Sequence, residues 1–524
     1  MKKRLSIKKI ILNTVPVLLL LALIYYILGF TGVVGFDNQV PIYKISVTVW
    51  TVVYFITLAF AIGVLLMDKG DPTKTLSWII VMLIIPGFGM IFYNFFGASF
   101  KEEGRPKRDY DESRELIQQY LNIIDEVLPY NEASVLPKAK SDIAYKNIAY
   151  LLKDPGSTIF ANTHCELLID GPNTFSRLKK DLAKARKYIH LEYFIWTDDE
   201  LGQEIKSILI DRAKAGVEIR ILIDGIGSSD LSSTYIRELC SHNIRVEIFR
   251  PLWKTIIDSY SNFRNHRKIA IIDGLIGYTG GINVDGKYIK GDPDLGDWHD
   301  AHVRLSGDAI LGLQMTFLID WYFQTKEKFL DKKYFPLYSK ENDDLCHIVT
   351  SGHQSEWDGI KQAYINSFYN AKKYLYLITP YLSPNETLIN GIKTAALSGI
   401  DTRLLIPIKG DSHITQSVTM SYAEILLDSG VRVFQYEDGF VHSKLMVSDD
   451  EVATVGSANL DIRSMDQNLE INVFSYEPAF IEEVKDSFLQ DLESSRELSK
   501  AYFENFSWFK KFRLALFRLL APLL

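Results

Sequence analysis

HRKIAIID, residues 266–273, and HSKLMVSD, residues 442–449, share one spacing of His, Lys and Asp. The first carries His266, Lys268 and Asp273, and the second His442, Lys444 and Asp449. Each is followed by a turn of small residues ending in Asn: GGIN at 280–283 and GSAN at 456–459. One such match arises by chance, but two with the same trailing turn do not. Alternation along a strand puts His266 and Lys268 on one face and Arg267 on the other, and treats His442 and Lys444 alike around Ser443. Two such faces suit covalent phosphoryl chemistry. One His attacks, the other protonates the leaving group, and the lysines hold the phosphate. Asp273 and Asp449 complete the catalytic motif, yet on an unbroken strand Asp273 falls on the face opposite His266. It therefore reads as the structural member, pairing with or capping the following turn. Asn283, Ser457 and Asn459, in turns that let backbone approach closely, are candidates for hydrogen bonds to phosphate oxygens.

The motifs are the ends of a longer duplication. AKARKYIHLEYFIWTDDE from Ala183 resembles NAKKYLYLITPYLSPNE from Asn370. AKAGVEIRILID from Ala213 resembles AALSGIDTRLLIP from Ala395, and NIRVEIF from Asn243 resembles GVRVFQY from Gly430. Helices alternating with short apolar strands predict an α/β fold. Two copies, rather than many, predict a pseudo-twofold pair that brings the two His–Lys sets to one site.

Upstream the composition changes. MKKRLSIKK leads into an apolar run over about 10–32, and a second runs over about 42–67, each long enough to cross a bilayer. Their connection carries no Lys or Arg, while MKKRLSIKK precedes the first span and Lys69 and Lys74 follow the second. The positive-inside rule then places both outer ends in the cytoplasm. A third apolar segment, about 76–97, is broken by Pro86-Gly87. We read it as re-entrant or interfacial, because the basic residues Lys101, Arg105, Lys107 and Arg108 follow it. The expected organisation is thus a membrane anchor over 1–97 and a helical linker over 98–155. Two repeats over 156–335 and 336–499 and a C-terminal segment over 500–524 follow. In the linker, Leu116, Tyr120, Ile123, Ile124 and Leu128 recur at helical spacing, as for a helix packed on the catalytic body. In the C-terminal segment, Trp508, Phe509, Phe512, Leu516, Leu519 and Leu520 share one arc of a helix, away from Lys510, Lys511 and Arg518. That pattern predicts a helix lying on an anionic bilayer surface.

The net charge of −7 gives no global basic field, so nucleic acid is not an expected partner. Three scattered cysteines make neither a disulfide framework nor a CxxC metal site. His299 and His302 are too sparse a set for zinc, and no GxxxxGK[ST] loop is present, so we expect no metal and no cofactor. Each catalytic His needs an acceptor on its other ring nitrogen. Asp300, downstream of the first motif, and Glu470, downstream of the second, are the candidates.

The two His-Lys-Asp sets resemble the HKD signature of the phospholipase D superfamily. The apolar N-terminal runs, the segment ending in FYNFFG and the terminal RLLAPLL resemble the bacterial cardiolipin synthases. The resemblance implies two phospholipase D-like repeats with mixed sheets flanked by helices, preceded by transmembrane helices. It also implies a multi-pass protein of the bacterial plasma membrane with a cytoplasm-facing catalytic region, and a homo-oligomer is compatible with it. It implies that two phosphatidylglycerol molecules become cardiolipin and glycerol through a phosphatidyl-histidine on His266, without metal. The alternative is a phospholipase D-type hydrolase, or a transphosphatidylase with another acceptor. The motifs do not separate these, because the first step is common to all.

Overall fold

The computed structural model describes residues 107–128, 130, 141–151, 153–154, 157–251, 263–339, 342–352 and 358–521, the helix Pro72–Ile84 and a few positions between 51 and 63. The span expected at 10–32 lies outside the described residues, as do most of 42–67 and residues 85–97 of the third apolar segment. Among the described residues no helix is long and apolar enough to cross a membrane. The helix Pro72–Ile84 opens on a proline, whose missing N–H costs nothing in a first turn. It belongs to a compact unit separate from the catalytic body.

The catalytic body begins with β1 (Ser157–Phe160) and continues through β2 (Thr163–Ile169), β3 (Tyr188–Tyr193), β4 (Glu218–Asp224) and β5 (Arg245–Phe249). β6 (Ile269–Ile272), β7 (Ile276–Gly280), β8 (Trp298–His299) and β9 (Ala301–Gly307) follow. The second half contributes β10 (Cys346–Ser351), β11 (Tyr374–Ile378), β12 (Leu382–Ser383), β13 (Asp401–Pro407) and β14 (Arg432–Tyr436). It ends with β15 (Phe440–Val441), β16 (Leu445–Ser448), β17 (Val452–Gly456), β18 (Leu460–Asp461), β19 (Glu470–Ser475) and β20 (Ser495–Glu497).

The first sheet has the order β2-β9-β7-β6-β3-β4-β5. The second contains the run β10-β19-β17-β16-β11-β13-β14, which matches the first strand for strand. In both, the last three strands are parallel and the rest antiparallel. The parallel pairs need crossovers, supplied by helices Glu200–Lys214 and Ser233–Ser241 in one half and Glu386–Leu397 and His413–Asp428 in the other. The expected α/β duplication is present.

One boundary needs correction. β1, placed by sequence in the first repeat, pairs antiparallel with β10, with Ser157 opposite Val349, and so extends the second sheet. All four of its residues are buried, so the edge they cover, not their place in the chain, decides where they go. One apolar core draws on both halves, with Ile271, Val303 and Leu305 from one and Val447, Val455 and Ile471 from the other. The linker helix Lys107–Val127 buries Leu116, Tyr120 and Ile124 in that core.

The helix Trp508–Leu520 is capped by Ser507, whose hydroxyl accepts from the Lys510 N–H. It buries Leu514 while Trp508, Phe509, Phe512, Leu516 and Leu519 stand exposed, Phe509 at 78%. The expected apolar arc is therefore an outward face.

Candidate active site

The chain brings the two His–Lys sets together by crossing over. Asn265 makes a parallel bridge with Leu469, and the His266 N–H donates to the Leu469 carbonyl at 3.0 Å. In the other half Val441 of β15 pairs in parallel with His299 of β8, and the His442 N–H donates to the His299 carbonyl at 2.7 Å. In both cases the residue before the motif histidine pairs with the residue before the other half's carboxylate. His266 Nδ1 consequently lies 2.9 Å from Glu470 Oε2, and His442 Nδ1 lies 2.7 Å from Asp300 Oδ2. Both carboxylates are fully buried. Each expected orienting acid is present and serves the histidine of the opposite repeat. A proton on Nδ1 donated to the carboxylate leaves Nε2 with its lone pair toward the site.

Glu470 also accepts from Ser457 Oγ at 2.5 Å and from Asn468 Nδ2 at 3.2 Å. Burial pushes its carboxyl up, but His266, Lys268 and the Ser457 hydroxyl together hold it below the usual carboxylate range. Asp300 accepts the Ala301 N–H at 2.8 Å, and burial, only partly opposed by Lys444, raises its carboxyl. Burial lowers both catalytic imidazoles. Glu470 partly restores His266, while Lys444, Lys287 and Lys268 depress His442 further.

The two lysines are buried, and each turns back on its own motif. Lys268 Nζ donates to the His266 carbonyl at 2.6 Å, and Lys444 Nζ donates to the His442 carbonyl. Lys444 Nζ also approaches His442 Nδ1 at 2.8 Å. One ring nitrogen does not both donate to Asp300 and accept from Lys444. We assign the bond to the carboxylate, which is nearer and oppositely charged to an imidazolium. Burial lowers Lys268 to about 7 and Lys444 to about 8. After burial, Lys444 lowers Lys268 further, and the two together form a cationic well that an anion relieves.

The motif aspartates are not part of this cluster. Asp273 accepts the N–H groups of Arg186, Lys187 and Tyr188 at 2.8, 2.6 and 3.0 Å. Asp449 accepts those of Lys372, Lys373 and Tyr374 at 2.5, 2.8 and 2.8 Å. Both have a positive φ of 57°. They lie at the far ends of β6 and β16, with four strand residues between each and its lysine and roughly 17 Å of extended chain. Expected from the motif at the catalytic centre, they instead brace the starts of β3 and β11.

Two of the three expected phosphate contacts also have other duties. Asn283 Oδ1 accepts from the Ile195 N–H at 3.0 Å and its Nδ2 donates to Tyr288 Oη at 3.2 Å. Ser457 supports Glu470 and accepts the Ile471 N–H at 3.0 Å. Only Asn459 is uncommitted, its buried Oδ1 having no hydrogen-bond partner among the described residues. Arg267, expected on the opposite face from His266, is fully buried and ion-paired with Asp320.

Sequence reasoning missed the surroundings of the histidines. Trp298, Phe440, Tyr381 and Tyr288 lie with ring centroids 5.0, 5.7, 6.1 and 6.2 Å from His442. His266 is flanked by Phe194 at 4.9 Å. It also missed Lys287 and Arg463. Their signal was available, since each stands four residues beyond its motif asparagine, in GGINVDGK and GSANLDIR.

A family described as "Cardiolipin synthase, PLD-like domain" matches residues 178–297 and 364–492, and "Phospholipase_D-nuclease N-terminal" matches 49–97. A cardiolipin synthase of Halalkalibacterium halodurans is 35% identical over 477 residues, covering 91% of this chain and 94% of the relative. One of Listeria monocytogenes serotype 4b is 35% identical over 481 residues, covering 90% and 98%. The crystal structure of a phosphatidylserine synthase from Haemophilus influenzae Rd KW20 superposes with a TM-score of 0.56 at 15% identity. It covers 73% of this chain and 100% of the other, a likeness of fold.

Proposed function

The chain belongs to the cardiolipin synthases of the phospholipase D superfamily and is a phosphatidyltransferase, and from that membership we propose how its site carries out the transfer. His266 Nε2 attacks the phosphorus of one phosphatidylglycerol. The bond from phosphorus to the glycerol oxygen breaks, and that oxygen takes a proton from His442. The product is a phosphatidyl-histidine and free glycerol. His442, now neutral, takes a proton from a hydroxyl of a second phosphatidylglycerol. That oxygen bonds to phosphorus, the P–N bond to His266 breaks, and cardiolipin leaves. One phosphodiester replaces another, so no nucleotide is consumed.

The observation that carries this reading is the crossed pairing of His266 with Glu470 and His442 with Asp300 around two buried lysines. The inequality of the two pairs supports the assignment of roles. Glu470 is held in its charged form and makes the imidazole it faces a better nucleophile. His442 is depressed by burial and then by three lysines, so once protonated it is a strong acid. A bound phosphodiester offsets those lysines and supplies the cationic well with its anion. Preorganised positive charge of this kind stabilises the transition state without a metal ion.

The substrates are membrane phospholipids, and the outward apolar face of Trp508–Leu520 fits a helix resting on an anionic bilayer. We place the enzyme in the bacterial plasma membrane with its catalytic body toward the cytoplasm. Product analysis tests the whole reading. Purified enzyme in phosphatidylglycerol bilayers is expected to yield cardiolipin and glycerol, and His266→Ala neither. Phosphatidic acid as the main product means that water is the acceptor and the enzyme a lipase.

A further inference from the structure

Lys287 and Arg463 occupy the same place in the two repeats, four residues after Asn283 and Asn459 and two after Asp285 and Asp461. Both are cations outside the motif. Lys287 Nζ lies 3.9 Å over the ring of Trp298, and that ring lies 5.0 Å from His442. Its only ion pair among the described residues is with Asp285 at 3.3 Å, and its side chain is 24% exposed, at the rim of the site. After Lys444 its charge weighs most among the cations on His442.

Arg463 lies on the other side. Its carbonyl accepts the N–H groups of Gln467 and Asn468 at 3.0 and 2.9 Å, in the turn that leads to Leu469 and Glu470 and so to His266. Among the described residues its side chain makes no ion pair or hydrogen bond, and Nε is buried without a partner. Burial lowers its guanidinium, and Asp461, Asp224 and Glu470 act on it only from beyond ion-pairing distance, which leaves room for a ligand anion.

Cardiolipin synthesis brings two phosphodiesters to one site. The donor's is attacked, and the acceptor's rides unreacted on the far side of the glycerol whose hydroxyl attacks. Water and simple alcohols carry no such group. In an in-line displacement from His266, both the departing glycerol and the incoming one lie on the side of His442.

We propose that Lys287 and Arg463 form a second pair of phosphate-binding cations, Lys287 holding the acceptor's own phosphodiester and Arg463 the donor's. The proposal rests on the transferase reading and on His266 as nucleophile. It makes Lys287 a specificity residue, which selects a phospholipid acceptor over a neutral alcohol.

The test sets two acceptors against each other. Full-length enzyme in bilayers of phosphatidylglycerol and phosphatidylcholine receives a fixed concentration of ethanol, and the ratio of cardiolipin to phosphatidylethanol is measured. Lys287→Gln is expected to lower the ratio about tenfold, the size of one lost charge-assisted contact. Lys287→Arg is expected to restore most of it. Arg463→Gln slows both products and leaves the ratio in place, because both use the same donor. A ratio unmoved by Lys287→Gln, or moved by Arg463→Gln instead, overturns the proposal. If Lys287→Gln does not fold, wild-type enzyme is offered glycerol and glycerol 3-phosphate as soluble acceptors. Preference for the phosphorylated one supports the proposal, and equal use overturns it. Wild type that yields phosphatidylethanol but no cardiolipin removes the cardiolipin synthase reading itself, and this proposal with it.

Discussion

His266 and Glu470 belong to different repeats, yet the imidazole Nδ1 of one lies 2.9 Å from the carboxylate of the other. His442 and Asp300 repeat the relationship in the reverse direction. Each histidine thus has its tautomer fixed by the other half of the duplication. Glu470→Gln leaves the shape of the site but lets the ring turn or change tautomer. We expect kcat to fall about 10²–10⁴-fold, with a far smaller change in KM, and Asp300→Asn to do the same. Steady-state kinetics on mixed micelles check this. A loss under tenfold would show that neither acid orients its histidine.

The lysines predict the alkaline limb of the pH profile. With Lys268 lowered to about 7 and Lys444 to about 8, the free enzyme loses positive charge as pH rises through that window. The charged form binds phosphate, so kcat/KM falls above about pH 7, reporting the free enzyme. In Lys268→Arg the guanidinium keeps its charge, and the limb moves upward even where the rate is lower. A profile flat from pH 7 to 9 would contradict the depressed lysines.

Asp449 belongs to the second motif and Asp300 faces the second motif's histidine, and their loss has different consequences. Asp449→Ala strips acceptors from three N–H groups at the start of β11, two of them at 2.8 Å. We expect a loss of stability of about 2–4 kcal/mol, since each orphaned buried donor costs about 1–3 kcal/mol and some regain water. Denaturant melts of the detergent-solubilised enzyme read this directly. The active fraction that remains folded keeps its kcat, whereas Asp300→Asn loses kcat and keeps its melt.

Trp508, 68% exposed and stacked at 5.3 Å on Phe512, serves as a probe of the C-terminal helix. Brominated lipids in phosphatidylglycerol bilayers are expected to quench part of the fluorescence of the enzyme, and Trp508→Phe to lose that part. Quenching that is the same in both proteins places this helix away from the bilayer.

The spacing of His266 and Lys268, repeated at His442 and Lys444, was enough to predict the duplication and a shared site. The histidines and lysines stand just before β6 and β16 rather than on them, and Arg267 turns to Asp320. What the sequence did not disclose was partnership across the fold. Asp300 and Glu470 each follow their own motif in the chain, and only the bridges Asn265–Leu469 and Val441–His299 reveal that they serve the other one. Asn283 and Ser457 carry groups that suit a phosphate, but protein atoms claim them first, and composition has no means of showing such competition. β1 joined the second sheet for a similar reason, because a short buried strand takes whichever edge is open.

The ring wall around His442 bears on fidelity. A phosphatidyl-histidine survives only as long as water is slower to reach it than the next lipid. Trp298, Phe440, Tyr381 and Tyr288 stand on the side from which that competition is decided. Their π-faces offer a water molecule few hydrogen bonds, while a glycerol carried in on a lipid brings its own carbon surface to lie against them. The lifetime of the covalent intermediate is therefore set less by the histidine that carries it than by four side chains that take no part in bond making.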